Sequence, residues 1–244
     1  MLSNAVEVKN LTFAYSGMAP LLRSVSFSIC KGEMLVIAGQ SGCGKTTLCR
    51  IICGIIPHSI KGTLDGEIAV MGIAPSSVSL PQNALNIGMV FQDPDSQIIC
   101  TTVEDELAFG LENFCKPPNE IRRRVDELLA EFGFESLRYA NPELLSGGQK
   151  KLLTIAAVLA TSPPILILDE PMSGLDRRGR SLVTEAVEQQ RLQGRTVIII
   201  EHDLKTAECA DRWLLLHDGA VAAHGAPSEI TKDRSMLEGL GVWA

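Results

Sequence analysis

The sequence predicts an α/β protein with a mostly parallel sheet core, an antiparallel β subdomain near the N-terminus and an inserted helical subdomain. Three observations carry this. The runs "EMLVIAG", "ILILDEP" and "RTVIIIEHD" each contain a continuous apolar stretch, as strands buried on both faces do. The later two alternate with helical periodicity, the strand–helix–strand order of a parallel sheet. From about Val103 to Thr161 the periodicity is helical throughout.

In chain order, "VEVKNLTFAY" and "SVSFSI" alternate apolar and polar residues, and "EMLVIAG" is a compact buried strand ending in glycine. A helix is expected from about Lys45 to Ile56, followed by strands at "GEIAVMG" and "NIGMVFQ". Behind Pro117–Pro118, the residues Ile121, Val125, Leu128, Leu129 and Phe132 make one helical stripe. "RRGRSLVTEAVEQQRLQG" is an amphipathic helix ended by Gly194, and "RWLLLHDGAVAAHG" is a hairpin turning at Asp218–Gly219. Residues 1–244 read as a single domain, with 1–92 and 162–244 as the sheet core and 93–161 as the helical insertion.

Composition sets limits on function. With 244 residues, 45% hydrophobic and 21% charged, the chain is an ordinary globular protein. A net charge of −7 argues against a nucleic-acid partner, and the basic clusters at 122–124 and 177–180 sit beside acids, so they read as solvated faces. Seven cysteines without a Cys-x-x-Cys pair fit a reducing compartment and thiols packed as small hydrophobes. Cys49 and Cys53, near His58, read as core packing in preference to metal ligands. No run reaches the roughly 18 apolar residues that span a bilayer, and the N-terminus lacks a signal-peptide pattern. The expected location is cytosolic, with any membrane role supplied by a partner.

Gly39-Gln40-Ser41-Gly42-Cys43-Gly44-Lys45-Thr46 fits G-x-x-x-x-G-K-[ST] between a predicted strand and a predicted helix, the context that phosphate-binding loop requires. Glycines let backbone N–H groups converge on phosphate oxygens, and the helix N-terminus adds its positive dipole end. Lys45 would reach the terminal phosphates and the Thr46 hydroxyl would suit Mg²⁺. Cys43, among those dipoles, is expected to have a depressed pKa, and its alkylation to block ATP binding.

Asp169 and Glu170 close the apolar run "LIL", where ligands sit in open α/β sheets. Two acids there are costly unless a cation or a reaction uses them. Asp169 would bind Mg²⁺ through water and Glu170 would polarise an attacking water, so hydrolysis is favoured over passive binding. "LLSGGQKK", Leu144 to Lys151, is a second Ser-Gly-Gly turn opening onto a helix, and a single nucleotide has no need of two cradles.

In their order and spacing these motifs resemble the ATP-binding subunit of ABC transporters over essentially the whole chain. They are "GQSGCGKTT" (Walker A), Gln92 after "MVF" (Q-loop), "LSGGQ" at 145–149 (signature), "LILDE" (Walker B), "SGLD" at 173–176 (D-loop) and "EHD" at 201–203. The resemblance implies a P-loop NTPase fold of ABC type, with ATP and Mg²⁺ as cofactors. It also implies a second ATPase subunit, homo- or heteromeric, facing the first head to tail. Each ATP would lie between one chain's Gly39–Thr47 and the other's Ser146, Gly147, Gly148 and Gln149, with Asp176, Ser146 and Gly148 at the dimer interface. Tyr15 would stack on adenine, Gln92 would touch Mg²⁺ or the attacking water, and His202 would contact the γ-phosphate, beside the catalytic Glu170.

The chain departs from that pattern at Lys150–Lys151–Leu152, where many relatives carry Gln-Arg, at Met172, where Thr or Phe is usual, and at Glu201, where Thr or Ser is usual. "FQDPDSQIICTTVEDELAFGLEN" resembles energy-coupling factor (ECF) transporter ATPases, in which this region receives a coupling helix. Asp93, Asp95, Glu104, Asp105 and Glu106 beside Ile98, Ile99 and Leu107 suit a basic amphipathic helix. The same residues also read as a solvated loop and a helix start capped at Thr101–Thr102. "GIIPHSIKGTLDGEIAVMG" resembles ECF ATPases grouped with permeases for hydroxymethylpyrimidine.

The resemblance therefore implies an ATPase peripheral to the cytoplasmic face of the cell membrane. A transmembrane coupling protein would dock near Gln92–Asn113, and a substrate-binding membrane protein would be engaged indirectly. The cargo would be a vitamin, a vitamin precursor or Co/Ni. The alternatives are the ATPase of another ABC transporter, a soluble ABC ATPase, and a P-loop kinase, which leaves "LSGGQ" and "EHD" unexplained.

Overall fold

The computed structural model describes residues 3–202, 204 and 209–242. Asp203, the third residue of "EHD", lies outside the described residues.

Two sheets form the frame. β1 (Asn4–Tyr15), β2 (Leu22–Cys30) and β4 (Gly62–Val70) make an antiparallel sheet in the order β2-β1-β4. β3 (Met34–Ala38), β5 (Ile87–Val90), β6 (Ile165–Asp169), β7 (Thr196–Glu201), β8 (Arg212–His217) and β9 (Ala220–Gly225) make a second sheet in the order β5-β6-β7-β3-β8-β9. Every pairing in it is parallel except β8 with β9. β3, β5, β6 and β7 are buried at every position, as the continuous apolar runs require. The β8–β9 hairpin turns through Asp218 and Gly219, both at positive φ.

The larger sheet separates two cores. Leu166, Leu168, Val197, Ile199, Trp213 and Leu215 face one, which the helical block covers. Ile165, Ile167, Ile198, Ile200, Leu214 and Leu216 face the other, closed by α1 (Lys45–Ile52) and the antiparallel sheet. The strict alternation follows from the two-residue period of a strand, and each such side chain contributes about 2 kcal/mol.

α1 is shorter than the expected helix to Ile56. Gly54, in the left-handed region at φ 75, ends it, and α2 (Ile55–His58) is one irregular turn with Ile56 extended. α3 (Leu80–Ala84) leads into β5. α4 (Val103–Asn113), α5 (Pro118–Phe132) and α6 (Gly147–Ala160) follow between β5 and β6. Thr102 caps α4 by accepting from the Asp105 amide at 3.1 Å. The α5 stripe buries Val125, Leu128 and Leu129, with Ile121 and Phe132 packed at its margin. α7 (Arg177–Leu192) joins β6 to β7, and α8 (Pro227–Ile230) and α9 (Arg234–Gly239) follow the hairpin.

Candidate functional site

The first cleft forms where β3 ends and α1 begins. Gln40, Ser41 and Gly42 are exposed on the connecting loop. Gly39 passes so close to β8 that a Cβ there would stand 2.2 Å from the Leu216 carbonyl oxygen, so no side chain fits. Gly44, at φ 105, precedes Lys45. The buried Lys45 ammonium curls back into the loop, donating to the carbonyls of Gly39 at 2.7 Å and Gln40 at 3.0 Å. A cation whose hydrogen bonds among the described residues go to two carbonyls is suited to exchange them for anionic oxygens. Thr47 is buried and its hydroxyl shares a 2.9 Å hydrogen bond with that of Tyr15. Tyr15 thus sits against the phosphate-loop helix, its ring edge-on to Phe13 at 4.9 Å.

The Cys43 expectation is corrected. Burial pushes its thiol up, and the opposing pull of Lys45 and of backbone N–H groups does not overcome that. The loop's dipoles act on a group that has lost most of its water.

The parallel strands deliver the acids to the same end of the sheet. Asp169, the last residue of β6, is buried and accepts from the Thr46 hydroxyl at 2.9 and 3.2 Å. Burial raises its carboxyl above the ordinary range, with the Thr46 hydrogen bond and the Arg50 and Lys45 charges opposing. Glu170 follows at φ 46, its amide donating to Ile200 and its Oε2 accepting from Gln92 Nε2 at 2.7 Å. His202 Nδ1 lies 4.0 Å from the same Oε2. A cleft of about 350 Å³ opens between Ser41–Thr47 on one side and Gln92 and Glu170 on the other. Oxygen atoms of Thr46 and Gln92, which line it, and of Asp169, which accepts from Thr46 behind it, are those a hard divalent cation takes, so the residues present fit Mg²⁺.

The signature residues lie elsewhere. Ser146 caps α6, its hydroxyl oxygen accepting from the Gln149 amide at 3.3 Å while its own amide donates to Gln149 Oε1 at 2.9 Å. Asp176 caps α7 by accepting from the Gly179 amide at 2.7 Å. The two helix starts meet glycine to glycine: a Cβ on Gly148 would stand 3.0 Å from Gly179 Cα. Both positive helix ends open onto one cleft of about 550 Å³, which Arg178 also lines. It shares no lining residue with the phosphate-loop cleft. Within one chain, Ser146, Gly147, Gly148, Gln149 and Asp176 are therefore not brought to the residues around Lys45.

Two buried charges beside the site entered the sequence reading only as departures from the family pattern. Lys151 is 1% exposed and donates to the backbone carbonyls of Phe91 and Gln92. Burial lowers its pKa, against the pull of Asp169, Asp93, Glu201 and Glu170. Its neighbour Lys150 pairs with Asp95 at 2.6 Å. Glu201, the last residue of β7, is 3% exposed, and burial pushes its carboxyl up to about 7, with the Met172 backbone N–H and His202 opposing and Glu170 adding. In each case the available signal was a charge at the border of an apolar run.

The acids offered to a basic helix are mostly engaged within the chain. Glu106 accepts from the Ile99 and Cys100 amides at 3.0 and 2.9 Å, Glu104 binds Arg138 at 2.6 Å, and Asp95 holds Lys150. Ile99 and Phe109 are left exposed beside them. Among the described residues no helix is long and apolar enough to cross a membrane.

The family description "ABC transporter" matches residues 22–173. An energy-coupling factor transporter ATP-binding protein EcfA1 of Levilactobacillus brevis is 40% identical, over 99% of this chain and 86% of that protein. The corresponding EcfA of Methanosarcina acetivorans is 36% identical over 95% and 83%. Among solved structures, cbiO1 from Clostridium perfringens, described as part of the ABC transporter complex cbiONQ, superposes with a TM-score of 0.84. It is 33% identical, over 98% of this chain and 95% of its own.

Proposed function

The chain belongs to the ABC transporter family, among its energy-coupling factor ATP-binding proteins, and from that premise we propose that its two clefts are halves of two composite ATP sites. Its activity is ATP hydrolysis that powers an ECF-type importer. The observation that carries the proposal is the separation of the clefts, each with a positive helix start and no lining residue in common.

In this reading Lys45 leaves the Gly39 and Gln40 carbonyls for the β- and γ-phosphates, and the amides of Gly39–Thr47 surround them. Tyr15 stacks on adenine. Thr46, Asp169 and Gln92 would hold Mg²⁺, which when bound would neutralise charge on the phosphate oxygens. Glu170 takes the proton of the attacking water, Gln92 orients that water, and His202 donates to a γ-phosphate oxygen. Ser146, Gly147, Gly148 and Gln149 receive the γ-phosphate bound by a second ATPase subunit, with Asp176 at the interface. Closure then depends on ATP and reopening on hydrolysis.

A transmembrane coupling protein docks near Gln92–Asn113, with Ile99 and Phe109 as apolar anchors, and holds the chain at the cytoplasmic face of the membrane. A substrate-binding membrane protein is engaged indirectly, for a vitamin, a vitamin precursor or Co/Ni. The test is Glu170→Gln, which should accumulate an ATP-dependent dimer in size-exclusion chromatography with little turnover. A variant that stays monomeric with ATP and its natural partner subunit, or that hydrolyses at the normal rate, rejects the assignment.

A further inference from the structure

Glu201 has no part in the mechanism above, yet it ends β7 beside the hydrolytic residues. Its Oε1 is buried without a hydrogen-bond partner among the described residues. Its Oε2 lies 4.0 Å from His202 Nδ1, the same distance as Glu170 Oε2 on the other side. An unsatisfied buried carboxylate oxygen is destabilising, and groups left in that condition cluster at sites that use them.

The neighbours narrow what that use is. Lys151, on α6, contributes charge but commits its ammonium to the Phe91 and Gln92 carbonyls. Glu170, on β6, already accepts from Gln92 with the oxygen nearest His202. The backbone N–H groups of Met172 and His202 also favour the charged Glu201 carboxylate, and the His202 ring, 58% exposed, is the side-chain donor within 4.0 Å of its Oε2.

We propose that Glu201 is a positioning residue for hydrolysis, its carboxylate accepting the Nδ1–H of His202 so that Nε2 faces the γ-phosphate. The inference rests on the roles given to His202 and Glu170 above. A carboxylate on Nδ1 fixes the ring's orientation and favours the imidazolium, whose Nε2–H can then donate to a phosphate oxygen. It also relieves Glu170 of the same task, leaving that carboxylate for the attacking water. The required movement is small, closing a 4.0 Å gap to hydrogen-bond length at a strand end that is itself held on both sides by β3 and β6.

Glu201→Gln keeps the shape and removes the charge. In the purified full chain it should lower kcat roughly tenfold, the size of one charge-assisted hydrogen bond, with ATP KM unchanged and the melting temperature not reduced. Glu201→Asp should recover part of the rate. Without any nucleotide, diethyl pyrocarbonate should modify His202 severalfold faster in Glu201→Gln at pH 8, where the Glu201 carboxyl is ionised, read by peptide mass against His217 as internal reference. Unchanged kcat or an unchanged His202 modification rate in Glu201→Gln overturns the inference. If His202→Ala itself turns over at the normal rate, the failure lies instead in the role given to His202, and the inference falls with it.

Discussion

Lys151 of the signature helix is hydrogen-bonded through its buried ammonium to the backbone of Gln92, 59 residues earlier. Helix α6, which begins at one cleft, thereby grips the residue that reaches into the other. A sequence departure from the family pattern has become a strut between two half-sites.

Lys151→Met should leave the Phe91 and Gln92 carbonyls without their donor. Removing one partner of a buried bond costs about 2–3 kcal/mol, so a melting temperature lower by about 5–10 °C is expected, with reduced hydrolysis as Gln92 loses its position. A variant that melts with the parent would remove the strut from the account.

Ser146→Arg should fill the glycine-lined start of α6 with a long side chain. Turnover and ATP-dependent dimerisation should be lost, while binding of a fluorescent ATP analogue at the Lys45 loop stays within about twofold. A comparable loss of binding would mean that the two clefts are not independent within a chain.

Glu201 links function to stability. Its carboxyl titrates near 7 in the fold against an ordinary carboxylate value near 4.5, so the folded state holds a proton that the unfolded chain releases. Stability from this group is therefore greatest below about pH 4.5 and is lost as pH rises toward and through 7. At pH 8, Glu201→Gln should melt higher than the parent, by an amount bounded at roughly 3 kcal/mol, and the gap should narrow at pH 5. Equal melting curves at both values would show that burial does not penalise this charge.

Cys43 should react slowly. With its thiol pushed up by burial, iodoacetamide at pH 7.5 should modify it at least about tenfold slower than the exposed Cys115, as followed by peptide mass. The fraction that is modified should no longer bind ATP, because the added group would crowd Gly39, whose own Cβ would already stand 2.8 Å from the Cys43 sulfur. Rapid loss of the Cys43 thiol would contradict the burial argument.

Much of the molecule was determined by the sequence alone, wherever the deciding interactions are local. Buried strands show as continuous apolar runs, the phosphate loop as glycines at fixed offsets from Lys45 and Thr46, and the α6 start as Ser146 three residues before Gln149. Hydrogen bonds to near neighbours and a two-residue or 3.6-residue period set these features, so one stretch of chain contains the whole argument. The end of α1 at Gly54 was missed because a single left-handed residue outweighed a continuing apolar pattern.

Tertiary structure decided the rest, because desolvation depends on which distant surfaces close over a group. The same charge is a solvated lysine or a strut at position 151, and an ordinary acid or a buried carboxyl whose Oε1 has no partner among the described residues at 201, according to what packs on it. Cys43 went against expectation for that reason: nearby dipoles can be read from the motif, but lost water cannot. The separation of the two phosphate-suited clefts is likewise a property of how α6 and α7 meet through Gly148 and Gly179, residues 31 positions apart with no periodic pattern to join them.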